Sequence, residues 1–253
     1  MIDQDVILRQ KDLNIVYSAM HGTGRVIVPL CLRSWGFQNI NVVPEQMIVD
    51  GDFPTVVSPN PENAEAMTLG MNLGTKLNAD LVVATDPDAD RVGVMTRTEN
   101  GDFATISGNQ MGALLLDYAI NERRACGKLS ENAYAIKSIV STDMAYKIAE
   151  VQGIKLHDVL TGFKFIGEVI KNYEKKGEAE GFVLGFEESY GYLAGTYARD
   201  KDAVVAAMLI AEMAAYHKNN GRTLVDALDE IYAEYGYYFD CLETYVLKGK
   251  EGA

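Results

Sequence analysis

Short apolar runs alternate along the chain with longer stretches in which apolar residues recur every three or four positions. Leu13–Tyr17, Ile40–Val43, Asp80–Ala84, Val92–Thr96 and Phe103–Ile106 predict strands, because short apolar runs bounded by polar turns suit buried extended segments. Between them, the glycine-containing turn Ser18–Gly24 leads into a helix over Val26–Trp35. A second helix is expected to start at Asn60–Pro61, where Asn can cap and Pro tolerates the first helical position, with Ala64, Met67 and Met71 at helical spacing. From Asn109 onward, Met111, Leu114, Leu115, Tyr118 and Ala119 mark one buried helix face. The polar segment 121–132 reads as a domain boundary.

A second series then repeats the alternation. Tyr134–Val140 and Leu156–Leu160 predict strands, and Ser141 or Thr142 is placed to cap a helix running to Val151, with Gly153 at its end. Ile166, Val169, Ile170 and Tyr173 outline a helix that stops near Gly177, and residues 181–193 form a strand entering an acidic turn. Two helices follow, an apolar one over 202–221 and an amphipathic one over 223–236. Strands alternating with helices in both halves predict the α/β class: two consecutive αβ domains with mixed, largely parallel sheets flanked by helices.

Composition narrows the partners. The 253 residues are 48% apolar, enough for a sizeable core, and carry a formal charge of −13. An acidic surface argues against a nucleic-acid partner, although a few local bases and a metal still permit a small phosphorylated substrate. Cys31, Cys126 and Cys241 are too scattered for a disulfide framework or zinc knuckle and fit a reducing, cytoplasmic setting. No apolar run approaches the roughly 20 residues of a membrane span, and the first residues do not resemble a secretion signal. His21, His157 and His217 form no ligand-spaced pair and read as structural.

Chemistry concentrates in two loops. Asp86, Asp88 and Asp90 project hard oxygen ligands from a turn between two apolar strands, followed at once by Arg91. A calcium hand does not fit, because Arg91 stands where that loop needs glycine and Arg97 where it needs glutamate. A dehalogenase-type phosphatase loop fits poorly, since Asp90 replaces the expected threonine or valine. Three carboxylates suit Mg²⁺ that also touches a phosphate oxygen, with a solvated acidic turn as the plain alternative. Arg91 offers a planar fork to phosphate, or simply neutralises the aspartates. In the second loop, Glu187 and Glu188 point to opposite sides of an extended segment, whereas Glu187 and Ser189 share one and could hold neighbouring sugar hydroxyls. An ordinary acidic turn accounts for that motif alone equally well. The turn at Gly22–Gly24 lacks the third glycine of a dinucleotide fingerprint, Ile27 standing in its place.

Taken in order, "TDPDADR", "TGFKFIG", "GFEESYG" and "ARDKDAV" resemble the metal loop, third-domain loop, sugar-recognition loop and following segment of the α-D-phosphohexomutase family, the phosphoglucomutases and phosphomannomutases. The resemblance implies Mg²⁺ on Asp86, Asp88 and Asp90, with Arg91 near the transferring phosphoryl group. It places Glu187 and Ser189 on the sugar, and Thr161, Gly162 and Lys164 in the third-domain loop. Lys137 and Lys201 resemble family bases near the phosphosugar. Residues 1–122 correspond to the family's second domain, 123–236 to its third, and 237–253 to a linker toward a fourth. Where the family has D-G-D-G-D, this chain has Pro87 and Ala89 between the acids.

The family's phosphorylated serine motif and its phosphate-gripping loop, borne on the first and fourth domains, have no counterpart here; "SPNPEN" at Ser58 is only superficially similar. The resemblance therefore implies part of an enzyme that interconverts hexose 1- and 6-phosphates, with glucose the expected hexose, via a phosphoserine and a bisphosphorylated sugar, with its missing first and fourth domains as partners and no mutase activity of its own. A phosphopentomutase or sugar-bisphosphate synthase on the same scaffold, and a stand-alone sugar-phosphate or metal-binding module, remain the alternatives.

Overall fold

A computed structural model describes residues 2–241 and Glu243. The first unit runs α1 (Gln4–Arg9), β1 (Ile15–Ser18), α2 (Gly24–Trp35), β2 (Ile40–Val42), α3 (Thr68–Leu77), β3 (Leu81–Thr85), β4 (Val92–Arg97) and β5 (Phe103–Ile106). Its sheet has the order β2-β1-β3-β4-β5; β2, β1 and β3 are parallel, and β4 and β5 turn antiparallel. β1 and β3 are buried along their whole length, as expected of central strands covered on both faces, which is why they read as unbroken apolar runs.

The second unit runs α4 (Gly108–Ala125), β6 (Tyr134–Ser138), α5 (Met144–Gln152), β7 (Lys155–Val159), α6 (Phe163–Lys175), β8 (Phe182–Glu187), β9 (Gly191–Leu193), α7 (Ala203–Asn219) and α8 (Leu224–Tyr235). The sheet order is β7-β6-β8-β9, parallel except for β9. Both sheets are thus mixed, parallel pairings outnumbering antiparallel ones over the two together, with helices on their faces, as the alternation predicts.

Three local expectations differ. Helix α3 begins at Thr68, not at Asn60: the Asn60 side chain accepts the Glu62 amide at 3.0 Å, and successive three-residue turns close at Asn63, Ala66 and Thr68. Pro61 is also held against β4, where a β-carbon on Gly93 would meet it at 2.6 Å. At α5 the last residue before the helix is Asp143, without a side-chain cap; Thr142 Oγ1 accepts the Met144 amide at 3.3 Å, and Ser141 turns elsewhere. The polar segment 121–132 begins inside α4, which continues through Ala125 and packs on β8 and α5. Of the segment expected as a linker, residues 242 and 244–253 lie outside the described residues.

Helix α7 joins the two sheets. It is apolar almost all round, with Ala203, Ala206, Ala207, Ile210, Ala211 and Met213 buried, the pattern of a helix enclosed on every side. Following β9 in sequence, it nevertheless packs against α1, α2, β3 and β4 of the first unit. One continuous apolar cluster consequently runs from Leu13, Tyr17 and Val83 through α7 to Phe186 and Tyr192.

Candidate active site

The acidic loop lies between β3 and β4, at the carboxyl edge of the parallel strands. Asp86 starts it: its Oδ1 accepts the amides of Asp90 (3.0 Å) and Arg91 (2.9 Å), and its carbonyl accepts the Ala89 amide at 3.1 Å. This tight turn takes Ala89 into the left-handed region (φ 59°), a conformation natural to glycine and costing an alanine about 1 kcal/mol. The β1–α2 turn braces the loop from outside, where the Thr23 amide and hydroxyl both donate to the Pro87 carbonyl, at 2.8 and 3.0 Å.

Asp86, Asp88 and Asp90 are brought together, with one carboxylate oxygen of each within 4.8 Å of the others. Asp86 is buried, Asp88 is exposed, and Asp90 lies between. Burial is the largest influence on the Asp86 carboxyl and raises it; the Arg91 amide opposes this, the charges of Asp90 and Asp88 add to it, and the net result is about 7. Arg91 Nε lies 3.9 Å from Asp86 and 3.8 Å from Asp90, close enough to attract but not to hydrogen-bond. Asp90 Oδ1 is buried with no hydrogen-bond partner. Mutually repelling hard oxygens, one of them orphaned, fit a divalent cation.

The Glu187 turn meets this loop directly. Arg91 and Gly191 form an antiparallel bridge, the Val92 amide donates to the Tyr190 carbonyl at 3.0 Å, and the Ala203 amide donates to the Ala89 carbonyl at 3.1 Å. Lys201 completes the junction: its Nζ lies 2.8 Å from Asp90 Oδ2 and 3.1 Å from Asp200. Burial works to lower the Lys201 ammonium, but its bonds to Asp90 and Asp200 outweigh this and hold it above its ordinary value.

Glu187 and Glu188 diverge, as adjacent residues on an extended segment must. Glu187 Oε1 accepts the Gly162 amide at 2.7 Å, bringing the Thr161–Gly162 loop beside the turn. Glu188 instead accepts the hydroxyls of Ser138 (2.9 Å) and Ser141 (3.3 Å). Ser189 is half-buried within the turn, Thr161 is exposed, and Lys164 lines an open cavity of about 650 Å³ with Arg199 and Asp200.

Lys137 is not part of this constellation. Its ammonium is wholly buried, 2.9 Å from Asp158 and 3.6 Å from Asp143, with the Ser141 carbonyl at 3.1 Å and the Tyr146 ring beneath it. Sequence reasoning overlooked the Gly22–Thr23 brace and the Ser138–Ser141 anchor for Glu188. Only the glycine spacing at 22–24 hinted at the first, and nothing local signalled the second.

Two mixed α/β sheets with an acidic loop and an acidic turn meeting at their junction define a layered α/β protein with clustered carboxylates where the two sheets meet. The chain belongs to the phosphoglucomutase/phosphomannomutase family: the family's alpha/beta/alpha domain II matches residues 2–101 and its domain III matches residues 107–235. It is 39% identical over 243 residues to a phosphoglucomutase of Staphylococcus haemolyticus, covering 96% of this chain and 43% of that protein. It is 38% identical over 251 residues to the Staphylococcus epidermidis phosphoglucomutase, covering 98% and 45%. In fold it is similar to the crystal structure of a phosphomannomutase from Thermus thermophilus, with a TM-score of 0.73 at 24% identity, covering 92% of this chain and 48% of the other. The chain thus spans less than half the length of each of these three proteins. Among the described residues no helix is long and apolar enough to cross a membrane.

Proposed function

We propose that the polypeptide to which this chain corresponds moves a phosphoryl group between the 1- and 6-positions of a hexose phosphate, with glucose as the first sugar to test, and works in the cytoplasm. The observation that carries the reading is the junction of the Asp86–Asp88–Asp90 loop with the Glu187 turn through Arg91, Gly191 and Lys201. It puts groups suited to a phosphoryl oxygen beside groups suited to sugar hydroxyls.

Asp86, Asp88 and Asp90 would hold Mg²⁺, which supplies charge stabilisation to a transferring phosphoryl group. Arg91, half-buried, directs its guanidinium fork to the same place. Lys201 reaches the crevice from the second unit and offers its ammonium to a phosphate oxygen. Glu187, oriented by the Gly162 amide, keeps acceptor capacity for hydroxyls, and Ser189 contributes a hydroxyl from the same side of the turn. Lys164 lines an open cavity shared with Arg199, Glu174 and Asp200, and would offer its ammonium to an anionic substrate there. Lys137, its ammonium enclosed beside Asp158, would support this edge of the sheet. The phosphorylated serine and the remaining phosphate contacts belong to segments outside this sequence, so this chain alone binds without turning over.

The test uses the 253-residue chain and a full-length relative. The isolated chain should leave glucose 1-phosphate unconverted, and Asp88→Asn, made at the matching position of the full-length enzyme, should abolish Mg²⁺ binding. Conversion by the isolated chain, or Mg²⁺ binding untouched by Asp88→Asn, would overturn the assignment.

A further inference from the structure

We infer that Lys201 is a built-in competitor of the metal ion: its ammonium occupies Asp90 until a divalent cation enters, and loading the site releases it toward the substrate crevice. This rests on the reading of Asp86, Asp88 and Asp90 as the metal site.

The two oxygens of Asp90 are in contrasting states. Oδ2 is held by Lys201 Nζ at 2.8 Å, whereas Oδ1 is buried without a hydrogen bond. A divalent ion bound among the three aspartates sits roughly 2.1 Å from its ligand oxygens. It would then lie within a few ångströms of the Lys201 ammonium, and both would draw on one carboxylate. Two like charges sharing one acceptor in a partly buried site repel strongly, so occupancy by one disfavours the other.

The surrounding structure lets the side chain move while its backbone stays. The Asp202 amide donates to the Tyr192 carbonyl at 2.9 Å, Asp202 caps α7 through the Val204 and Val205 amides, and Arg199 pairs with Glu174. Both flanks of Lys201 are therefore fixed. Its stem lies over Gly191, where a β-carbon would come within 2.2 Å of the Lys201 Cδ, so the side chain leaves the backbone along a set path. At the tip there is a choice, since the second partner, Asp200, is largely exposed. The Phe163 ring, which begins α6 beside the Gly162 amide that orients Glu187, lies 5.8 Å from Nζ. Released from Asp90, the ammonium remains between the metal loop and the sugar-facing turn. Cation loading and presentation of Lys201 to an anionic substrate are thereby coupled, and the Asp90 tie between the units is given up.

Mn²⁺ titration of the 253-residue chain, read by the electron paramagnetic resonance of the free ion, tests this. Lys201→Met should tighten Mn²⁺ binding by about three- to tenfold, the range of one part-buried ion pair. Unchanged or weaker binding by a folded Lys201→Met chain overturns the competition. A second measurement needs no variant: acetylation of Lys201 in the wild-type chain, followed by mass spectrometry, should accelerate when Mg²⁺ saturates the site, while exposed Lys147 stays constant. Equal Lys201 reactivity with and without Mg²⁺ would also overturn it. Asp88→Asn separates the two levels: if Mn²⁺ binding survives that change, the metal-site reading itself fails, whereas loss of binding there with no response to Lys201→Met rejects only the competition.

Discussion

Gly22 lies so close to Pro87 that a β-carbon on it would come within 2.3 Å of the Pro87 Cα and 2.5 Å of its carbonyl oxygen. Both neighbours are backbone and cannot rotate away. Gly22→Ala should therefore destabilise the chain by about 2 to 3 kcal/mol and push the acidic loop off its Thr23 brace. Urea unfolding and Mn²⁺ titration check this together; unchanged stability would mean that the brace yields at no cost.

The opposite settings of Glu187 and Glu188 predict opposite phenotypes. Glu188→Ala leaves the buried Ser138 and Ser141 hydroxyls without their shared acceptor and should cost about 1 to 3 kcal/mol of stability. Glu187→Ala, in a full-length relative, should lower kcat/KM for the hexose phosphate on the order of a hundredfold, with a smaller effect on stability. Thermal melts and steady-state kinetics on both variants distinguish the roles, and an inverted pattern would reassign them.

Lys137 presents a different case. Its enclosed ammonium, paired with Asp158 and Asp143, predicts that Lys137→Met costs about 2 to 4 kcal/mol by leaving Asp158 without its cation. Lys137→Met, Asp158→Asn together should recover part of that loss. A double-mutant cycle by urea denaturation measures the coupling; a fully stable Lys137→Met chain that is inactive in the full-length context would instead restore a direct catalytic role.

The raised Asp86 carboxyl makes both stability and metal binding depend on pH, in opposite senses. In the metal-free folded chain it binds its proton up to about pH 7, against an ordinary value of 3.8. The resulting stabilisation is fully present below 3.8 and is lost as pH rises through 7, amounting to about 4 kcal/mol at most. A divalent ion requires the ionised form, so affinity should climb roughly tenfold per unit up to about pH 7 and level off above it. Unfolding and Mn²⁺ titrations of wild type and Asp86→Asn between pH 5 and 8.5 isolate this group; identical slopes in the two would exclude it.

Much of this arrangement is legible in local sequence. β3 and β4 follow from their apolar runs, the face of α4 from Met111, Leu114, Leu115 and Tyr118, and the divergence of Glu187 from Glu188 from strand geometry alone. What escaped depends on partners distant in the chain. The start of α3 is set by Pro61 lying against Gly93, which outweighs the capping signal at Asn60. Lys137 looks like any strand-end base until Asp158, twenty-one residues on, is folded against it. The Arg91–Gly191 bridge joins residues a hundred positions apart, and no periodicity encodes it.

Helix α7, supplied after the last strand of the second sheet yet seated largely on the first, makes the two halves mutually dependent. Severing the chain between the sheets would strip the N-terminal half of its covering helix and leave the C-terminal half presenting an alanine-rich apolar rod to water. Shuffling this region among mutases would therefore have to transfer both sheets as one cassette, with exchange points at its outer ends.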